Sequence, residues 1–189
     1  MALNNTKIYQ LKITLEDAKP PIWRRVLVES SRSLAELHWV IQIAMGWENS
    51  HLHQFAHNNK FYSEPSPFDD GYMEAEDSNK YSIAQLLKRE KDSMRYEYDF
   101  GDGWLHKIVL EKIMPVDAKL SLPQCIKGKR ACPPEDVGGV WGYEEMLDVL
   151  ADKNHPEHEE RLEWLGGEFD AEALDLDEVN QELKAWAAA

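Results

Sequence analysis

The chain opens on a strict alternation. Tyr9, Leu11, Ile13 and Leu15 fall on one face, with Gln10, Lys12 and Thr14 on the other, which predicts a half-buried strand over 7–16. Pro20 and Pro21 interrupt it, and the β-branched and aromatic run from Ile22 to Val28 predicts a second strand, antiparallel to the first. Ser33 followed by Glu36 forms a capping box and opens a run with Leu34, Leu37, Ile41 and Ala44 at helical spacing. Gly46 closes it, so a helix of about three turns is expected. His51 to Phe61 reads as extended. Glu64 to Asn79 reads as a loop whose turn formers are Pro65, Pro67, Asp69, Asp70 and Gly71. A short helix is expected from Ser82 to about Arg89, with Gln85 completing a second capping box.

Arg95 to Ile113 carries the clearest hairpin pattern, two apolar-alternating runs around Gly101, Asp102 and Gly103. A two-residue turn at Asp102 and Gly103 would pair Asp99 with His106. A three-residue loop would pair Tyr98 with His106, Tyr96 with Ile108 and Glu97 with Lys107. The second is preferred: it gathers Tyr96, Tyr98, Phe100, Trp104, Ile108 and Leu110 on one face and sets opposite charges across the ladder. Pro123 to Gly142 shows no sustained periodicity and reads as a long ordered loop or a disordered joint. Helical stripes return at Tyr143 to Ala151, Pro156 to Leu165 and Asp177 to Trp186. The order of elements predicts an α+β fold, an antiparallel or mixed sheet with a ββαβ, β-grasp-like start and a helical C-terminal extension. One domain is expected over 1–189, with a sheet-containing core at 1–114, an ordered loop at 115–142 and an acidic helical extension at 143–189.

Composition adds exclusions. Hydrophobic residues make up 43% of the 189, with seven Trp, seven Tyr and five Phe, enough to build a packed core. No apolar run approaches the ~18 residues needed to cross a bilayer, and the N-terminus lacks the basic-then-apolar order of a signal peptide, so a cytoplasmic, membrane-free protein is expected. Cys125 and Cys132 are too few for a disulfide scaffold and read as reduced thiols. The net charge of −14 is concentrated: residues 1–134 balance, and the whole excess falls in 135–189. Duplex nucleic acid is disfavoured as a partner, because that segment would repel phosphate. The ten glycines form neither G-x-G-x-x-G nor G-x-x-x-x-G-K, which excludes nucleotide binding through those loops.

Candidate chemistry gathers at histidines and carboxylates. On one strand His51, His53, Phe55 and His57 would share a face, and a His-x-His pair with a carboxylate from elsewhere is a common start for one divalent metal ion. Glu135 and Asp136, between rigid prolines and Gly138 and Gly139, would present two carboxylates to a cation. The metal candidates are therefore His51, His53, Glu135 and Asp136. His106 with Asp99 and Asp102 forms the catalytic candidate. In the first hairpin register Asp99 orients His106 as a general base; in the preferred one His106 joins an aromatic face and Asp102 is a turn residue. His155 and His158 would sit at a helix start as ligands or caps. The six-residue spacing within Cys125 and Cys132 does not match a zinc knuckle.

Five stretches together resemble one family. Pro20-Pro-Ile-Trp-Arg-Arg25, Ala44-Met-Gly-Trp47 with His51-Leu-His53, Tyr98-Asp-Phe-Gly-Asp102 with Trp104 and His106, Pro133-Pro-Glu-Asp-Val-Gly-Gly139, and Trp164-Leu-Gly-Gly-Glu-Phe-Asp170 are similar to the plasmid pRiA4b ORF-3-like family. The resemblance implies a compact α+β domain of bacteria and archaea, uncharacterised in activity, with some members carrying a resolvase label. That label does not fit the residues: a serine recombinase needs a Ser beside clustered arginines, and a tyrosine recombinase an Arg-His-Arg set, whereas Arg24, Arg25 and Arg32 stand alone in the N-terminal part. The leading expectation is a non-catalytic binding or adaptor domain for a protein or peptide partner. The alternative is a metal-dependent, hydrolase-like enzyme in which His, Asp and Glu converge on one ion.

Overall fold

The computed structural model describes residues 6–65 and 75–189, and Pro67, Asp69, Asp70 and Gly71 of the predicted loop lie outside them. The first strand, β1 (Ile8–Leu15), pairs antiparallel with β2 (Trp23–Glu29), and both bury alternate side chains. Leu11, Ile13, Val26 and Val28 are fully enclosed, while Gln10, Lys12, Thr14, Trp23 and Arg25 stay partly exposed on the other face. Helix α1 (Leu34–Met45) begins at the capping box, with Ser33 accepting from the Glu36 amide and Glu36 reaching back, and stops at Gly46 in the left-handed conformation. Its Leu34, Leu37, Val40 and Ile41 are buried in the core with the sheet's inner face.

The extended stretch after α1 is a tight hairpin, β3 (His53–His57) and β4 (Lys60–Ser63), turned by Asn58 and Asn59, both at positive φ. Strand β5 (Ala75–Asp77) adds parallel to β4, and α2 (Ile83–Leu86) is a single turn behind the second capping box. Strands β6 (Ser93–Tyr98) and β7 (Trp104–Met114) form the expected hairpin. Its register differs from both expectations. Tyr96 pairs with His106 and Tyr98 with Trp104, around a loop from Asp99 to Gly103. Asp99 takes positive φ and its carbonyl accepts from the Gly103 amide at 2.6 Å, so the chain reverses early. The shift from the preferred pairing is two residues, which keeps every side chain on its predicted face. Only Phe100 leaves it, 40% exposed in the loop.

The irregular stretch after Pro123 hides a strand, β8 (Gln124–Lys129), which pairs with β2 across a register shift at Arg25 and Val26. Helices α3 (Gly139–Ala151), α4 (His158–Leu165) and α5 (Leu176–Ala187) follow. The last docks through buried Leu183, through Arg32 over the Trp186 ring, and through Asn180, whose amide both accepts from and donates to the backbone of Cys125. The result is an α+β fold on an eight-stranded, mostly antiparallel sheet of order β5-β4-β3-β6-β7-β1-β2-β8 among the described residues. The chain opens strand, strand, helix, strand, but β6 and β7 stand between β3 and β1 in the sheet. No helix of the described residues is long and apolar enough to cross a membrane.

Candidate functional site

Three loops meet at the end of the β3–β6–β7 segment. Residues 46–52 leave α1, Asp99 opens the β6–β7 loop, and Pro133 to Gly138 leads into α3. Two contacts fasten them: the Asp99 amide donates to the Leu52 carbonyl at 2.9 Å, and the Asp102 carboxylate accepts from the Gly138 amide at 3.1 Å. Gly138 has no side chain with which to cap α3, so Asp102 supplies an acceptor from the neighbouring loop.

His51, Asp99 and Asp136 converge there, one ligand atom from each lying within 4.8 Å of the others. Nε2 of His51 lies 3.2 Å from Asp136, 3.7 Å from Asp99 and 4.0 Å from Glu135. Ligand atoms about 2.1 Å from a zinc ion stand about 3.4 Å apart across a tetrahedral edge, so the His51 separations suit one small cation. Nε2 is buried and without a hydrogen-bond partner among the described residues. Asp99 is 8% exposed, and its Oδ1 is fixed by the Gly101 amide at 2.9 Å. The Asp136 carboxylate, 70% exposed, leaves the cluster open to solvent on one side.

Glu135 is held from behind. Its Oε1 accepts from the Tyr98 hydroxyl at 2.8 Å and from the Glu48 amide at 2.9 Å. The same hydroxyl accepts from the amides of Ser50 and His51. Burial and the carboxylate partner raise the Tyr98 pKa well above that of a free phenol, so the group remains a donor. Trp47, tilted against the Tyr98 ring and with its indole N–H donating to the Pro133 carbonyl, walls a cleft of about 400 Å³ shared with Glu135 and Asp136.

The other candidates lie elsewhere. His51 precedes β3 and does not share its alternation, so it faces the cluster. His53, in the strand, is buried and stacks on His38 at 3.5 Å between ring centroids. His106 is wholly buried, its Nδ1 against the Trp104 carbonyl, and the observed register pairs it with Tyr96 rather than Asp99. Burial lowers its pKa to about 4, as it lowers that of His38 to about 4 and of His53 to about 3. His155 accepts from the Glu157 amide and His158 bonds the Val149 carbonyl. Cys125 is buried, and Cys132 lines the cleft as a free thiol. Sequence reasoning missed Tyr98, taken as a core aromatic, and Glu48; Tyr98 did stand at the head of the Tyr98-to-Asp102 motif.

The family model described as plasmid pRiA4b ORF-3-like protein matches residues 7–178. An uncharacterised protein, y4hQ, of Sinorhizobium fredii (strain NBRC 101917 / NGR234) is 38% identical over 183 residues, 96% of this chain and 93% of that one. The crystal structure of a protein of unknown function, MM3350, from Methanosarcina mazei Go1 superposes with a TM-score of 0.81 at 40% identity, covering 92% of this chain and 96% of that one.

Proposed function

The chain belongs to the plasmid pRiA4b ORF-3-like family, and we propose that it is a divalent-metal protein whose single-ion centre activates water for hydrolysis. The convergence of His51, Asp99 and Asp136 carries this reading. These three supply one imidazole and two carboxylates, a donor set suited to zinc, manganese or iron. Such an ion supplies a nucleophile at neutral pH by bringing the pKa of bound water down to about 7. Glu135, whose Oε2 lies 4.0 Å from His51 Nε2 against 3.2 Å for Asp136 and 3.7 Å for Asp99, would hold a proton at that oxygen, and Tyr98 with the Glu48 amide fixes its other oxygen. The free thiols of Cys125 and Cys132 accord with a reducing, cytoplasmic setting.

Elemental analysis of protein purified without a polyhistidine tag tests the reading. One equivalent of zinc, manganese or iron is expected, lost in His51→Ala and in Asp99→Asn and retained in folded His53→Ala. A protein that neither carries nor takes up these metals, while its circular dichroism is unchanged, would sink it. A second reading, binding of a protein or peptide partner, is favoured by Trp141, 84% exposed on the first turn of α3 next to the site loop.

A further inference from the structure

We infer that the outer face of the sheet is a docking surface for single-stranded nucleic acid, which lays its phosphates along a band of lysines and arginines and a base against an exposed aromatic ring. The surface is independent of the metal centre. Strand register builds the band. One unbroken row of cross-strand partners runs Lys129, Trp23, Thr14, Lys107, Arg95, Ala56 and Phe61, from β8 to β4. In the next row of the same face Lys127, Arg25 and Lys12 stand side by side on β8, β2 and β1. With neighbouring strands about 4.8 Å apart, these cations extend about 19 Å from β8 to β6. Arg95, Lys107, Lys127 and Lys129 are exposed. The helices lie on the other side of the sheet, where Tyr143 and Met146 of α3, Leu165 of α4 and Leu183 of α5 pack with α1 in the core.

Three like-charged pairs lie directly opposite one another in the ladders: Lys12 with Arg25, Arg25 with Lys127, and Arg95 with Lys107. Such pairs destabilise a sheet. The carboxylates of the face relieve only the arginines, Glu111 at 2.6 Å from Arg25 and Glu16 at 3.4 Å from Arg95, while Glu97 accepts from Gln54. Lys12, Lys107, Lys127 and Lys129 make no ion pair among the described residues. Anionic oxygens seated between them would remove the repulsion, so the register itself points to an anionic occupant. Charge alone would equally suit an acidic polypeptide, and the rings decide between the two. Phe61 closes the row 44% exposed, and Lys12 and Arg25 each stand 5.1 Å from the centroid of the partly exposed Trp23 ring. Bases stack on aromatic rings and guanidinium planes above an open sheet, whereas carboxylate side chains have no flat face to offer them. Next to Phe61 the short Ala56 side chain helps to line a hollow of about 310 Å³ beside Arg95 and Lys107. A duplex is a poorer fit, because this flat face raises no element to enter a groove. The negative excess of the chain belongs to 135–189, whose helices pack on the far side of the sheet.

Fluorescence anisotropy of labelled oligo(dT) and oligo(U), each about fifteen nucleotides long and titrated with the full chain, tests this surface. Binding is expected at low salt, with the logarithm of the association constant falling against that of the salt concentration at a slope of about −3, as for four lysines on a single strand. Lys12→Gln, Lys107→Gln and Lys127→Gln combined should weaken binding about tenfold or more and flatten that slope by about 2. The urea unfolding midpoint of this triple variant should not fall, because like-charge repulsion has been relieved. Phe61→Ala should weaken binding roughly fivefold or more through lost stacking. Lys153→Gln, exposed beyond α3, should leave it unchanged. No binding by folded protein at low salt, a duplex of the same length bound as tightly, or affinity unmoved by the triple variant or by Phe61→Ala overturns the inference. Displacement of the probe by poly-L-glutamate as readily as by unlabelled oligo(dT) also overturns it, and assigns the face to an acidic protein partner instead.

Discussion

The Tyr98 hydroxyl serves three site residues at once, donating to Glu135 and accepting from the amides of Ser50 and His51. Removing it leaves two amides without an acceptor and releases Glu135, while the ring remains packed against Trp47. Tyr98→Phe is therefore expected to cost about 1–3 kcal/mol of stability and to weaken zinc binding roughly tenfold, as loss of an outer-shell partner does. Chelator competition and urea unfolding measure the two effects. Zinc affinity within twofold of the parent would show that Tyr98 does not position the centre. At this scale the residue types of the site were legible, since His51, Asp99, Glu135 and Asp136 were each singled out. Their grouping was not. The period-two face was carried two residues too far, linking His51 to His53, and the turn that aims Asp99 depends on a positive φ at a non-glycine residue, which no pattern announces.

Between elements, the decisive junction is the start of α3 against the β6–β7 loop. Gly139 has φ of 69°, and a Cβ there would stand 2.4 Å from the Asp102 carbonyl oxygen. Backbone must move to admit it, and that movement would separate Asp102 from the Gly138 amide and shift Asp136 from His51. Gly138 is also left-handed, at φ of 95°, but its nearest neighbour to such a Cβ is 3.6 Å away. Gly138→Ala is expected to cost about 1–2 kcal/mol, the conformational term alone. Gly139→Ala should cost roughly twice that or more, with loss of metal binding, because a steric clash adds to the same term. Equal unfolding midpoints in urea for the two variants would contradict this account of the junction. The same scale explains which elements the sequence concealed. β1, α1 and the β6–β7 hairpin carry long periodic stripes and were readable. β8 buries only Cys125 among its six residues and pairs across a shifted register, so neither alternation nor a turn signal marks it.

Over the whole molecule, the sheet encloses three histidines that the site does not use. His38, His53 and His106 lie within a packed group with Tyr96, are 1%, 8% and 0% exposed, and have pKa values lowered by burial to about 4, 3 and 4. An unfolded chain binds protons at these positions near pH 6.5, so below that value the unfolded state holds more protons than the native one, and stability falls as pH falls. The contribution is complete above about pH 6.5 and is lost progressively toward pH 4 and 3. Each histidine kept neutral steepens the dependence by about 1.4 kcal/mol per pH unit, and the three together reach on the order of 10 kcal/mol, comparable with the entire stability of a typical domain. The protein is therefore expected to unfold on acidification before these rings protonate in place. Urea unfolding between pH 7.5 and 4.5 should give a slope approaching three protons below pH 6. In His106→Leu, which replaces one titrating ring by an apolar group in the same enclosed position, the slope should fall by one proton. A stability that stays flat from pH 7 to 5 would mean that the three rings are not held neutral by burial.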